Sequence, residues 1–557
     1  MNDEMREADV VLESRRMGAL WPTRLSFARQ LVARLRRERW RIGAVQWELD
    51  RDGCGEAIYR VDAGSHTFHF VIFSTVLDPA ERTDRVIAER WDAAAALCEG
   101  ELTAERLAHF RANVPKQEYG RADFQTLSWT RGNRSGRFFD HVVACLADGQ
   151  QPDMDLLAQG GYIFRSTAYY ANGKFGLTAY EAIAPDHPLA GSYMAQMLAA
   201  YLFREFAVDL AEHVARCRNP QAARLHPDIR RYLGIGNATG LGLVPFVLNN
   251  PQLTHAWCWV RETAVSHAQT TIPTAADRDR LLHLLDRCHR YFGEDQTETK
   301  GLFTDQATLQ RDLAWLRQQV AQQPLDQPWQ TVCAQAAGRV DVESEELLNT
   351  LLIELYPAMA DGLVANLEMP PLAPLQPEMS LATLRALVER DYGWALRLDL
   401  RDPAAKHFFW YFSADSEEPL LGVRGEEAGE GVERPLNIPH QIQSLIHDLA
   451  NVPAGETVAF FLLQQPQHRL IIQRVQALDG LAYAEPRSNI MDAGFIPLYL
   501  QRFQLAMYGM ERYSPQSVNW VRVTLMQGAP TVQDLAAEVN LDASREGNWA
   551  FPLKPEF

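Results

Sequence analysis

The chain has 557 residues, 47% apolar and only 22% charged, enough apolar surface for buried cores and too much for wholesale disorder. Its net charge of −17 repels nucleic-acid backbones and anionic membranes, so neither nucleic acid nor membrane is expected as a main partner. The seven cysteines are scattered with no CxxC pair, which argues against a zinc ribbon or disulfide framework and predicts reduced thiols in a soluble, cytoplasmic protein.

The opening MNDEMREADVVLESRR is charged throughout and has no apolar signal core. SFARQLVARLRRERW then reads as a helix, and IGAVQWELD, EAIYRVD and HTFHFVIFS read as strands. Residues 126–149, TLSWTRGNRSGRFFDHVVACLADG, read as a strand pair ending in an Asp-Gly turn. The most apolar long stretch, Tyr193 to Val214, is broken by Arg204, Glu205, Asp209 and Glu212, so it is expected to be a buried or amphipathic helix rather than a membrane span. Helical periodicity continues through DRDRLLHLLDRCHRYF, LQRDLAWLRQQVAQ and SEELLNTLLIELYPAMADGL, with Thr304 or Asp305 capping the second and Ser344 the third. Residues 367–380 hold Pro370, Pro371, Pro374 and Pro377 and read as an extended linker. Ser380 then caps a helix through LATLRALVERDYG, followed by strand-like WALRLDL and KHFFWYFSA. GEEAGEGVE reads as a solvated hairpin loop.

Internal matches suggest duplication. LAHFRANVP at 107–115 shares six of nine residues with LIHDLANVP at 445–453. Segments 126–149 and 457–480 have equal length and both end in Asp-Gly. GYIFRSTAYYANGKFG from Gly161 pairs with GFIPLYLQRFQLAMYG from Gly494. The fold class predicted is α+β: two diverged repeats of mainly antiparallel sheet with helices, about residues 20–185 and 380–530, flanking a helical region. The domain reading is 1–185 for the first repeat, 186–366 for the helical middle, 367–380 for the linker and 381–557 for the second repeat with its C-terminal extension.

Differences between the copies place the candidate chemistry. Arg165, Thr167, Asn172 and Lys174 stand where the second copy has Leu498, Leu500, Leu505 and Met507. Polar groups that replace packing residues need partners or a ligand, because burying them alone costs several kcal/mol. The loop TRGNRSGR adds Arg131, Arg134 and Arg137, and arginine forks suit carboxylate or phosphate. Ser166, Tyr170 and Lys174 fall at four-residue spacing and would share one helix face, where a lysine makes a tyrosine a usable acid or base. That Tyr-x-x-x-Lys spacing occurs in short-chain dehydrogenases, but here no glycine-rich nucleotide fingerprint follows an early strand.

A glycine-rich run, RRYLGIGNATGLGLVPFVLNNP, is a second candidate, with Gly234 as a helix C-cap, Thr239 capping a further helix, and Asn237 and Thr239 as ligand contacts. The His141/Cys145 and His255/Cys258 pairs lack a third ligand with diagnostic spacing, so no metal is predicted. His109 and His447 recur in the matched segments and are expected to share a structural hydrogen bond. The resulting expectation is an enzyme acting on a small anionic substrate, of lyase or isomerase type, with Tyr170, Lys174 and Ser166 catalytic and no cofactor predicted. A non-catalytic ligand-binding or scaffolding protein is the alternative, and a flavin or nicotinamide oxidoreductase the third reading.

Overall fold

The computed structural model describes residues 5–82, 90–116, 126–171, 184, 186–240, 250–294, 304–365, 367, 373–402, 422–427, 430–435, 438–487, 498–517, 520–537 and 549–556. Its strands are β1 (Arg41–Leu49), β2 (Gly55–Ala63), β3 (His66–Ser74), β4 (Ala93–Glu99), β5 (Thr126–Arg134), β6 (Tyr162–Ala171), β7 (Gly234–Gly240), β8 (Gly422–Glu427), β9 (Glu430–Pro435), β10 (Met510–Ser517) and β11 (Trp520–Leu525). Nine of them form one sheet in the order β1-β2-β3-β4-β5-β6-β7-β11-β10, while β8 and β9 pair as a separate hairpin. Every neighbouring pair is antiparallel except β6 and β7. A parallel pair needs a long crossover, and the Met194–Arg218 helix lies within that connection.

β3 from Phe70 to Phe73 and β4 from Ala93 to Cys98 are continuously apolar and buried because helices cover both faces of the sheet there. Tyr59, Phe70, Ile72, Ala95 and Leu97 join the main core with residues of the Phe27–Arg37 and Met194–Arg218 helices. The alternate residues Ile58, Val71, Phe73, Ala94, Ala96 and Trp129 pack with Phe110 of the Ala104–Asn113 helix. The middle helices build a second core around Leu284, Leu285, Leu309, Leu316 and Leu351, and it takes in Trp21 and Phe551 from near the two ends of the chain.

Of the charges that interrupt the Tyr193–Val214 stretch, Arg204 and Glu205 are buried with partners. Arg204 donates to the carbonyls of Leu233 at 2.7 Å, Arg231 at 3.0 Å and Ala529 at 2.9 Å. Glu205 meets Arg230 at 3.2 Å. A second buried set joins the N-terminal segment to the middle helices: Arg6 contacts Glu262 at 2.7 Å and Glu346 at 2.6 Å, and Arg261 contacts Glu346 at 2.7 Å. Among the described residues no single helix is long and apolar enough to cross a membrane.

The fold is α+β with a mainly antiparallel sheet, as expected, but the matched segments take different secondary structures. Residues 126–149 form β5 followed by the Phe139–Ala147 helix, not a strand pair, because Phe139, Val142, Val143 and Leu146 recur at helical spacing. Residues 457–480 form the Val458–Gln464 and Arg469–Ala477 helices. The shared Asp-Gly endings are helix C-termini, with Gly149 at φ +78° and Gly480 at φ +82°, where a left-handed residue stops the helix. β6 likewise aligns with the Leu498–Tyr508 helix. The bond common to the matched His-x-x-x-Asn segments does not use the imidazoles: Asn113 and Asn451 each donate to the backbone carbonyl four residues back, at 2.8 Å and 3.4 Å. Both bonds span a single helical turn at the end of a helix, so they are local helix-ending chemistry. The nine-stranded sheet draws strands from residues 1–185, from 186–366 and, through β10 and β11, from 381–557.

Smaller expectations also change. WALRLDL contains the short Gly393–Leu396 helix where a strand was expected, and KHFFWYFSA lies outside the described residues. The acidic GEEAGEGVE run does form a hairpin, β8 to β9. Ser380 and Asp305 cap their helices as expected, whereas Asp341, not Ser344, caps Val342–Leu355.

Candidate functional site

The three arginines of the β5 segment go to three different partners. Arg134 is buried and donates to the carbonyls of Asp52 at 2.9 Å, Gly53 at 3.2 Å and Thr75 at 3.4 Å, and to Ser74 at 3.3 Å. Burial lowers its pKa, with Asp92 opposing. Arg131 lies 4.5 Å over the Trp91 ring, and exposed Arg137 bonds Gln159 and lies 5.4 Å over Phe138. Each is engaged by its own neighbours, and the loop does not gather them into one site.

The Ser166–Tyr170–Lys174 helix face does not form. β6 runs as a strand through Ala171, with Tyr170 opposite Trp129, while Asn172 and Lys174 lie outside the described residues. The reason is ladder pairing on both sides of β6, with β5 and β7. The glycine run is likewise β7 and not a helix cap and loop. Gly234 pairs with Tyr162, and an added Cβ there would come within 2.5 Å of the Leu525 carbonyl oxygen, so glycine serves close strand approach. Thr239 sits on β7 opposite Val521, and the helix expected after it lies outside the described residues.

The structure does bring Ser166 and Asn237 together on neighbouring strands, the Asn237 amide donating to Ser166 Oγ at 3.0 Å. On the same strands Arg165 lies beside Gly236 in register. Burial pulls the Arg165 guanidinium down to about 10, and Arg522 adds to the shift.

A cleft elsewhere gathers arginines that the sequence reading left aside. It is small, with a cavity volume of about 40 Å³. One wall is the Phe27–Arg37 helix with the residues before it: Arg24, Arg29, Val32, Ala33 and Arg36. The spacing 29, 32, 33, 36 is one helix face, and that was the legible signal. Asp361 of the Pro357–Ala365 helix, and Pro530, Leu535 and Trp549 from the C-terminal part, close it.

Arg24 meets Asp361 at 2.8 Å, and its backbone N–H donates to Glu354 at 2.8 Å. Arg29, buried in the cleft wall, donates to Glu354 at 2.8 Å and Glu511 at 3.0 Å, with its guanidinium 5.1 Å from the Trp549 ring centre. Burial raises the Glu511 carboxyl to about 7, with Arg29 opposing and Glu354 reinforcing the shift. Arg287 donates to the Ala550 carbonyl at 2.7 Å, and burial lowers its guanidinium to about 10. Arg36 is exposed at the mouth, and its pKa is lowered by partial desolvation and by Arg24. The cleft lining thus carries Arg24, Arg29 and Arg36 against Asp361, with Glu354 and Glu511 bonded to Arg29 behind it. In a chain of net charge −17, this is a local concentration of positive charge.

Among the described residues neither His/Cys pair of the sequence gathers a third metal-capable side chain. His141 Nε2 accepts the Asp153 N–H at 3.0 Å, and burial pushes the nearby Cys145 thiol up. His255 Nδ1 accepts the Tyr483 N–H at 3.1 Å, and burial lowers its pKa to about 4. Among the described residues one group of metal-capable side chains does gather: His66, Glu99 and His187, far apart in sequence and so invisible as a motif. Compared with known proteins, the chain matches no family model, no curated protein and no solved structure.

Proposed function

We propose that this protein binds a small anionic molecule with an apolar portion in the cleft beside the Phe27–Arg37 helix. The observation that carries this reading is the lining itself: Arg24, Arg29 and Arg36 interleaved with Val32, Ala33, Pro530, Leu535 and Trp549. Guanidinium groups supply forked donors for a carboxylate or phosphate, and the apolar wall removes the rest of the ligand from water. Lyase- or isomerase-type turnover would need a group that exchanges a proton near neutral pH. Glu511, at about 7 and bonded to Arg29, supports that extension.

The test is a thermal-shift screen of aliphatic and aromatic carboxylates and phosphate monoesters on wild type and Arg36→Ala. A ligand at a hundred times its dissociation constant adds about 2.7 kcal/mol of stability. A shift present in wild type and reduced in Arg36→Ala supports the cleft. If no panel member moves the wild type, or if Arg36→Ala responds equally, the reading fails.

A further inference from the structure

Glu99 ends β4 and pairs in register with Phe68 of β3, so His66, two residues before Phe68, shares its face of the sheet. The loop before the Met194–Arg218 helix brings His187 to the same point. His66 Nδ1 lies 2.7 Å and His187 Nε2 3.1 Å from one Glu99 carboxylate oxygen. The two imidazole rings stand 4.7 Å apart at 70°. Phe68 lies 6.4 Å from the His66 ring and 6.1 Å from the His187 ring, and Trp40 stacks on Phe68 at 6.0 Å, giving the cluster an aromatic floor. The cluster is partly sheltered, with the His187 side chain 9% exposed, Glu99 21% and His66 32%.

We propose that His66, Glu99 and His187 bind one divalent transition-metal ion of the Zn²⁺ class. Two neutral imidazoles and a carboxylate are a borderline-soft nitrogen and oxygen set that suits Zn²⁺ or Co²⁺ and leaves a coordination position open. Ligand atoms around a tetrahedral ion with bonds of about 2.1 Å stand roughly 3.4 Å apart, so from 2.7 Å and 3.1 Å the His66–Glu99 pair must open by about 0.7 Å and the His187–Glu99 pair by about 0.3 Å. Binding displaces the proton from each coordinating nitrogen.

One bond opposes the ion and sharpens the proposal. The Leu189 N–H donates to His187 Nδ1 at 3.0 Å, so Nδ1 is unprotonated and Nε2 carries the proton. A metal on Nε2 moves the proton to Nδ1 and breaks that bond. The loop itself stays held by Arg34, which donates to the carbonyls of Pro188 at 2.6 Å and Ala190 at 2.8 Å.

The experiment uses the full chain, treated with chelator, then titrated with Co²⁺ while d–d absorption is followed, with Zn²⁺ as competitor. One equivalent of Co²⁺, displaced by Zn²⁺ and weakened at least about tenfold in His66→Ala and in His187→Ala, is expected, since even outer-shell partners are worth 10–100-fold. A wild-type measurement guards against variants that do not fold: Zn²⁺ should protect His66 and His187 together from diethyl pyrocarbonate, read by mass spectrometry. Absence of stoichiometric Co²⁺ binding, binding unchanged in folded variants, or no joint protection of the two histidines would overturn the site and leave a carboxylate bonded to two imidazoles.

Discussion

The arginines of β5 and those of the cleft differ in what holds them. Arg134 is ringed by main-chain carbonyls and one hydroxyl, so it fastens the 50–54 turn to the end of β3. Arg29 is held by two carboxyl groups, one of them pushed up to about 7 by burial, and forms part of the cleft wall. An arginine satisfied by backbone carries a structural load, whereas one set among titratable partners at a cleft retains electrostatic freedom. Clustering along the sequence pointed to the first group and clustering in space to the second.

The largest effect should come from Arg29→Met. Removing the cation leaves Glu354 and Glu511 buried without it, a loss of about 3–5 kcal/mol measured by urea unfolding. A loss below about 1 kcal/mol would mean that the two carboxyls are solvated or protonated without Arg29. Arg134→Met should cost roughly 2–4 kcal/mol by orphaning several carbonyls, while leaving any cleft-ligand shift intact after correction for stability. Loss of ligand response in Arg134→Met with the fold preserved would reverse the roles assigned to the two groups.

Glu511→Gln gives a smaller and pH-dependent effect. The folded carboxyl, at about 7, keeps its proton above the ordinary value of 4.5, so the folded state binds more protons across that window. Wild-type stability therefore falls as pH rises from 4.5 to 7, by up to roughly 3 kcal/mol, and the deficit is full above 7. Glu511→Gln removes this slope: the two proteins should have similar stability near pH 5, and the variant should gain relative to wild type by pH 8. Parallel stability profiles would show that Glu511 titrates as an ordinary carboxylate. Arg36→Ala, exposed at the mouth, should change stability by less than about 0.5 kcal/mol and alter only ligand binding.

Local periodicity made much of the fold legible. SFARQLVARLRRERW, IGAVQWELD, EAIYRVD and HTFHFVIFS become the Phe27–Arg37 helix and β1 to β3, because amphipathic spacing and β-branched runs act over a few residues. Ser380 and Asp305 cap their helices through bonds to nearby backbone N–H groups, Thr383 and Thr308, for the same reason. Two of the matches behind the duplication reading are equally local: His-x-x-x-Asn and Asp-Gly both stand at helix ends. GYIFRSTAYY was misread because its pairing with β5 and β7 depends on residues distant in the chain.

Side-chain spacing and short-range bonds are enough for the α+β class, the antiparallel N-terminal strands, the buried character of the Met194–Arg218 helix and many caps. Only the tertiary structure decided that β10 and β11 complete the N-terminal sheet, that Arg134 is a staple, and that Arg29 meets Glu511 across 482 positions. It also decided that His66, Glu99 and His187 converge. Sheet order, ion-pair partners and ligand clusters depend on which distant segments share a burial site, and no window of neighbouring residues carries that information.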